Sequence, residues 1–130
     1  MKKIPWFLSV LLVAGFFLMQ GSGNNDQTSL STAEFIYPSG VKKVIDLKCY
    51  GCHSIKGKSD DAKEALMWDS LPKLEKSKLV ATLDDIIEVL EEGSMPPEEV
   101  VKKYPEAKLL PAERDVLHAW ATAAADSLLN

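Results

Sequence analysis

From about residue 40 onward, apolar positions recur at spacings of three and four, and nowhere do they alternate for long enough to suggest a sheet. Val41, Val44 and Ile45 begin this pattern behind the start signals Pro38 and Ser39, and predict a helix running from about Gly40 into "CYGC". "DDAKEALMW" (60–68) predicts a short second helix ending near Trp68, and "SLPKLEKSK" (70–78) reads as irregular because Pro72 interrupts it. The clearest period lies in "TLDDIIEVLEEG" (82–93). There Leu83, Ile86, Ile87 and Leu90 line one face, Thr82 is placed to cap, Asp85 stands as the acid of a capping box, and Gly93 marks the stop. "PEEVVKKY" (97–104) predicts one or two turns. Pro111 opens a last helix whose buried stripe is expected at Val116, Leu117, Trp120, Ala123, Ala124 and Leu128. The expectation is a small all-α fold.

Towards the N-terminus the pattern changes. Lys2 and Lys3 precede an apolar run from Ile4 to Met19, broken by Pro5, Ser9 and Gly15 and followed by small residues at Gly21 and Gly23. This layout predicts a secretory signal peptide over residues 1–23, with a retained membrane anchor as the rival reading. The run is somewhat short against the roughly 20 residues that span a bilayer. No cysteine lies near the expected cleavage point, so a lipidated lipoprotein is excluded. Residues 24–34 are polar and aperiodic and read as a linker, which leaves 35–130 as the folded domain. Either reading places that domain outside the cytoplasm, in the periplasm, free or anchored to the inner membrane.

Charge narrows the partners. The chain of 130 residues carries 15 basic and 19 acidic side chains. Without residues 1–23, which hold Lys2 and Lys3 and no acid, 13 basic groups face 19 acidic ones, a formal −6. A polyanion binder needs the opposite balance or a basic stripe, and "KKVIDLK" (42–48) is interrupted by Asp46. Nucleic acid is not expected as a partner.

The chemistry concentrates in "CYGCHS" (49–54), which holds the only two cysteines, Cys49 and Cys52, with His53 directly after the second. A zinc site needs about four ligands, and beyond these three the chain offers only His118, with Cys52 and His53 poorly placed to converge on one tetrahedral ion. A thioredoxin-like pair needs a βαβ context that is absent. A disulfide across so small a loop stabilises little and leaves His53 unexplained. Covalent haem uses all three residues: two thiols on one helical turn add to the two vinyl groups, and His53 supplies a nitrogen to the iron. Haem c and its iron are therefore the expected cofactor.

Candidates for the second axial position are Met67, Met95 and His118. Met67 falls within the expected second helix, where a methionine usually packs, and a lone helical histidine such as His118 is usually a surface group. Met95 follows the stop at Gly93, and Pro96 and Pro97 bias its backbone to an extended, stiffened loop. A soft thioether on such a loop suits haem iron, and His/Met ligation raises the reduction potential.

"CYGCHS", Trp68, "SMPP" and "YPEAKLLPAERDVLHAWA" resemble the monohaem class I cytochromes c, and more narrowly the small exported bacterial haem-binding domains, over roughly residues 40–128. The resemblance implies a cytochrome c-like helical fold wrapped round one haem, with residues 40–45 packed near Leu117 and Trp120. It implies thioethers at Cys49 and Cys52, with His53 and Met95 flanking the iron. The Gly-Pro-Leu segment of the mitochondrial type is missing, so the carbonyl that steadies the His53 ring is sought near Pro72. Trp68 is expected either as a core aromatic or as a donor to a haem propionate.

The function expected is transfer of single electrons between extracytoplasmic redox proteins, without enzymatic turnover. Partners should dock transiently through a basic or apolar patch, and a membrane is met only through an uncleaved N-terminal segment. The competing readings are a haem-based sensor or gas-binding module, and a peroxidase-like enzyme using His118. Both need an open sixth position.

Overall fold

The computed structural model describes residues 37–130. The expected signal peptide or anchor (1–23) and the linker (24–34) lie outside the described residues. Among the described residues there is no strand, and no helix is long and apolar enough to cross a membrane. The fold is small and all-α.

The chain enters through α1 (Ser39–Val44), which buries Val41 and Val44 as the three-residue spacing requires. It continues without a break through a π-helical segment (Ile45–Cys49) into α2 (Tyr50–His53). The wider π turn alters the register in which the next side chains face the core. Leu47 is left exposed while Cys49 and Tyr50 pack against buried neighbours.

α3 (Asp60–Ala65) starts at Ser59, whose Oγ accepts the Ala62 N–H at 3.2 Å, and its first turn carries Asp60 and Asp61. It stops at Ala65 rather than near Trp68, because Leu66 is extended (φ −153°, ψ 127°). Met67 and Trp68 therefore lie in a turn, not on a helix face. A 3₁₀ turn (Leu71–Lys73) follows at Pro72.

α4 (Lys76–Glu92) is longer than its clearest periodic stretch. Thr82 is not its cap but an interior residue whose hydroxyl donates to the Lys78 carbonyl at 2.9 Å, and Asp85 is likewise interior. The helix starts behind Glu75 because Leu79 extends the buried row of Leu83, Ile86 and Leu90 by one turn. Gly93 ends it in the left-handed region (φ 66°, ψ 23°), as expected for a glycine stop. α5 (Glu98–Lys103) and a 3₁₀ turn (Pro105–Ala107) lead to α6 (Pro111–Leu129). At its start the Glu113 carboxylate accepts the Leu110 N–H at 2.9 Å.

α4 and α6 pack along one another and form the largest interface, and α1 packs on α6. The buried row on α6 is Leu117, Ala121 and Ala125, flanked by Trp120, Ala124 and Leu128. Val116 and Ala123, expected in the stripe, are exposed. The packed face thus keeps the expected Leu117, Trp120, Ala124 and Leu128 but runs through Ala121 and Ala125 rather than Val116 and Ala123. The contact between first and last helices that the resemblance implied is present. Just ahead of α1, the Tyr37 ring adds to it, its centre 5.5 Å from that of Trp120.

Candidate haem site

The site is built on the turn at residues 49–53. Cys49 closes the π segment, and Cys52 and His53 end α2. Both cysteines are free thiols and half-buried. Burial, then the charges of Glu113 and Cys52, pushes the Cys49 thiol up to about 12, so it is held as S–H.

Ser54 breaks α2 by turning extended, and the loop after it folds back onto the turn. The Gly57 N–H donates to the Ser54 carbonyl at 2.8 Å, and the Lys58 N–H donates to the Gly51 carbonyl at 3.1 Å. A Cβ on Gly57 would lie 2.1 Å from the Cys52 carbonyl oxygen, so only glycine fits.

The segment after α3 holds His53 from the other side. Extended Leu66 presents its carbonyl 2.9 Å from His53 Nδ1, and the Trp68 N–H donates to the His53 carbonyl at 2.9 Å. A carbonyl only accepts, so Nδ1 carries the proton and Nε2 keeps its lone pair. That is the tautomer and ring anchoring a metal-binding histidine requires. The acceptor is Leu66, not a carbonyl near Pro72, because the early end of α3 frees the Leu66 carbonyl from helical bonding.

Asp69 completes the clamp by accepting from the Tyr50 hydroxyl and from the Ile55 N–H, at 2.7 Å for the latter. These bonds hold its carboxyl below the usual carboxylate range, the Tyr50 bond contributing most. Trp68 is buried at 3% exposure, edge-on to Tyr37 with ring centres 5.9 Å apart and 6.1 Å from Trp120. Its ring is a core aromatic, yet its Nε1–H has no acceptor among the described residues. A buried donor without a partner is costly, and a carboxylate such as a haem propionate fits it. A cavity of about 170 Å³ lies alongside, lined by Tyr37, Ile45, Tyr50, Trp68, Asp69 and Pro72 among others. A larger, open groove between the start of α4 and Leu129 touches none of these residues.

The other iron-ligand candidates are spread more widely. Met95 is half-buried on the loop between α4 and α5, and no hydrogen bond joins that loop to α2 among the described residues. The connection is indirect: α5 packs on the 3₁₀ turn Pro105–Ala107, which packs on the π segment. His118 sits on α6 with Nε2 2.9 Å from Glu91 Oε1 on α4, so its imidazole is engaged at the α4–α6 surface.

The family described as haem-binding domain matches residues 55–123, more than half of the chain. This chain belongs to the haem-binding domain family. The match starts just beyond His53 and contains Leu66, Trp68 and Met95, while the Cys49–Cys52–His53 turn that precedes it has the spacing of a CxxCH motif. No curated protein and no solved structure matches the chain. This haem-binding domain thus brings together two thiols, an oriented imidazole and an orphaned indole N–H, a donor set that fits haem. Gly57, Leu66 and Asp69 escaped the sequence reading. A glycine four positions after His53 was the only readable signal, since the Leu66 contribution is a main-chain carbonyl that any residue supplies.

Proposed function

We propose that this domain is a monohaem c-type cytochrome that carries single electrons between extracytoplasmic redox partners, and is not an enzyme. The observation that carries the reading is the Leu66 carbonyl on His53 Nδ1, which leaves the Nε2 lone pair free for a metal, in a turn that also carries two free thiols. Haem supplies the one-electron couple of its iron. Cys49 and Cys52 would hold the macrocycle, each thiol able to form a thioether with a vinyl group. His53 ligates through Nε2, and its bond to Leu66 increases the basicity of that nitrogen. Trp68 Nε1–H would hold a propionate carboxylate, and Met95 would supply the second protein ligand to the iron and keep exogenous ligands off it. No side chain is asked to move a proton, which suits a carrier whose geometry changes little between redox states. The acidic balance of the chain outside residues 1–23 favours partners with a basic or apolar docking patch, met transiently. Export to the periplasm follows from the N-terminal pattern.

A second reading, a haem-based sensor with an open sixth position, draws on one observation: among the described residues the Met95 loop has no hydrogen bond to the His53 segment. The peroxidase-like alternative would require His118 to leave Glu91. Optical spectra of protein co-produced with a cytochrome c maturation system separate these readings. The carrier gives a low-spin spectrum with a weak far-red methionine-to-ferric band that M95A loses, and its ferrous form resists carbon monoxide. A high-spin wild type that binds carbon monoxide readily overturns the carrier reading in favour of an open site.

A further inference from the structure

Lys48 directly precedes Cys49 and has no part in attaching haem. Its side chain is only 14% exposed, low for a lysine. Nζ donates to the Glu106 carbonyl at 2.8 Å and to the Lys108 carbonyl at 3.1 Å, and lies 3.6 Å from Glu113 Oε2. The ammonium thus makes two hydrogen bonds to carbonyls and a looser ion pair with a carboxylate, three partners in all. The first lies within the 3₁₀ turn Pro105–Ala107, the second directly after it, and the third belongs to the first turn of α6. One side chain therefore ties the attachment segment to the connection between α5 and α6. α5 packs on that same turn and begins at Glu98, directly behind Pro96 and Pro97 and three residues after Met95.

We propose that Lys48 is a latch, a positioning residue that holds the α5 segment against the haem-attachment segment and so keeps Met95 on the sixth position. The proposal rests on the His53/Met95 reading above. Lys48 couples the two halves of the ligand set that no direct hydrogen bond joins among the described residues: His53 is five residues along its own helical run, and Met95 is reached through the turn it grips. Its stem packs while its head bridges, so a lysine-to-methionine change keeps the stem and removes only the donors.

The test uses the haem-loaded protein as wild type, K48M, K48R and M95A, read by the far-red ferric band, by carbon monoxide binding to the ferrous form, and by amide hydrogen exchange over residues 98–108. K48M weakens the band, raises carbon monoxide affinity about tenfold or more, the factor carried by one hydrogen bond to a charged group, and speeds exchange over 98–108 but not in the middle of α4. K48R retains donors and restores most of each signal. K48M with band, affinity and exchange unchanged overturns the latch. So does a K48M in which exchange rises equally in α4 and α6, since that is general destabilisation. If M95A keeps the band and carbon monoxide affinity of the wild type, the Met95 reading fails, and the latch is then decided by exchange over 98–108 alone.

Discussion

Two glycines six residues apart should respond to the same substitution with opposite signs. An added Cβ on Gly57 would lie 2.1 Å from the Cys52 oxygen, 2.6 Å from its carbon and 2.9 Å from the Ser54 oxygen, all of them backbone atoms. No rotamer change relieves such contacts, so the 54–58 loop must lift by about 1.4–1.9 Å to reach ordinary van der Waals distance. Lifting it breaks or stretches the Gly57–Ser54 and Lys58–Gly51 bonds, at 2.8 and 3.1 Å, worth about 1 kcal/mol each. Overpacking adds about 1–3 kcal/mol, so Gly57→Ala should cost about 3 kcal/mol in all. For a domain of this size that is a fall in Tm of more than about 10 °C. Gly51, inside α2, has nothing within 4 Å of an added Cβ. Gly51→Ala should be neutral or stabilising by up to about 1 kcal/mol, because it lowers the entropy of the unfolded chain and favours helix. Thermal unfolding of the haem-loaded variants by circular dichroism decides the matter. A Gly57→Ala protein with wild-type Tm would refute the folded-back loop, and a Gly51→Ala loss as large as that of Gly57→Ala would refute the steric argument.

Trp68→Phe keeps an aromatic in the buried cluster and deletes the unpartnered indole donor. It should lower the reduction potential, because the carboxylate left without its donor favours ferric iron, whereas an unchanged potential by voltammetry would make Trp68 a core aromatic only. Asp69 accepts from Tyr50 and Ile55 and its folded pKa is lowered. Its contribution is therefore fully present above the usual carboxylate value near 4 and is lost as pH falls through the lower folded value. Urea midpoints measured down to pH 2 should fall less steeply in Asp69→Asn than in wild type, and parallel curves would contradict the clamp. Leu83→Ala, at a fully buried position between α4 and α6, should cost about 3–5 kcal/mol in the same urea titration, while Val116→Ala on the exposed side should cost under about 0.5 kcal/mol.

The all-α architecture was legible because helical spacing repeats over long stretches, and the thiols and imidazole were legible because their chemistry resides in side-chain type. What escaped the sequence lies where backbone geometry decides. Thr82 looked like a cap because its residue type and the following apolar period agree, but Leu79 has enough to bury to carry α4 one turn further back. Leu66 and Met67 look helical after "DDAKEA", yet the chain gains more by turning extended there. The Leu66 carbonyl then orients His53 and the Trp68 N–H meets the His53 carbonyl. The stripe on α6 was misplaced at Val116 and Ala123 because a run of alanines gives no apolar contrast to fix the register, and the buried row in fact runs Leu117, Ala121, Ala125. Lys48 gave no signal at all, since a lysine in a mixed-charge stretch reads as solvated until its three partners are seen.

The most direct test of the central claim is the intact mass of the polypeptide, co-produced with a cytochrome c maturation system and measured under denaturing conditions. The account predicts a wild-type chain heavier by one haem, an increment that the Cys49→Ala/Cys52→Ala double variant lacks. An unmodified wild-type mass from protein that nevertheless binds haem would leave a haem-binding domain without c-type attachment, and would contradict the role assigned to the two thiols.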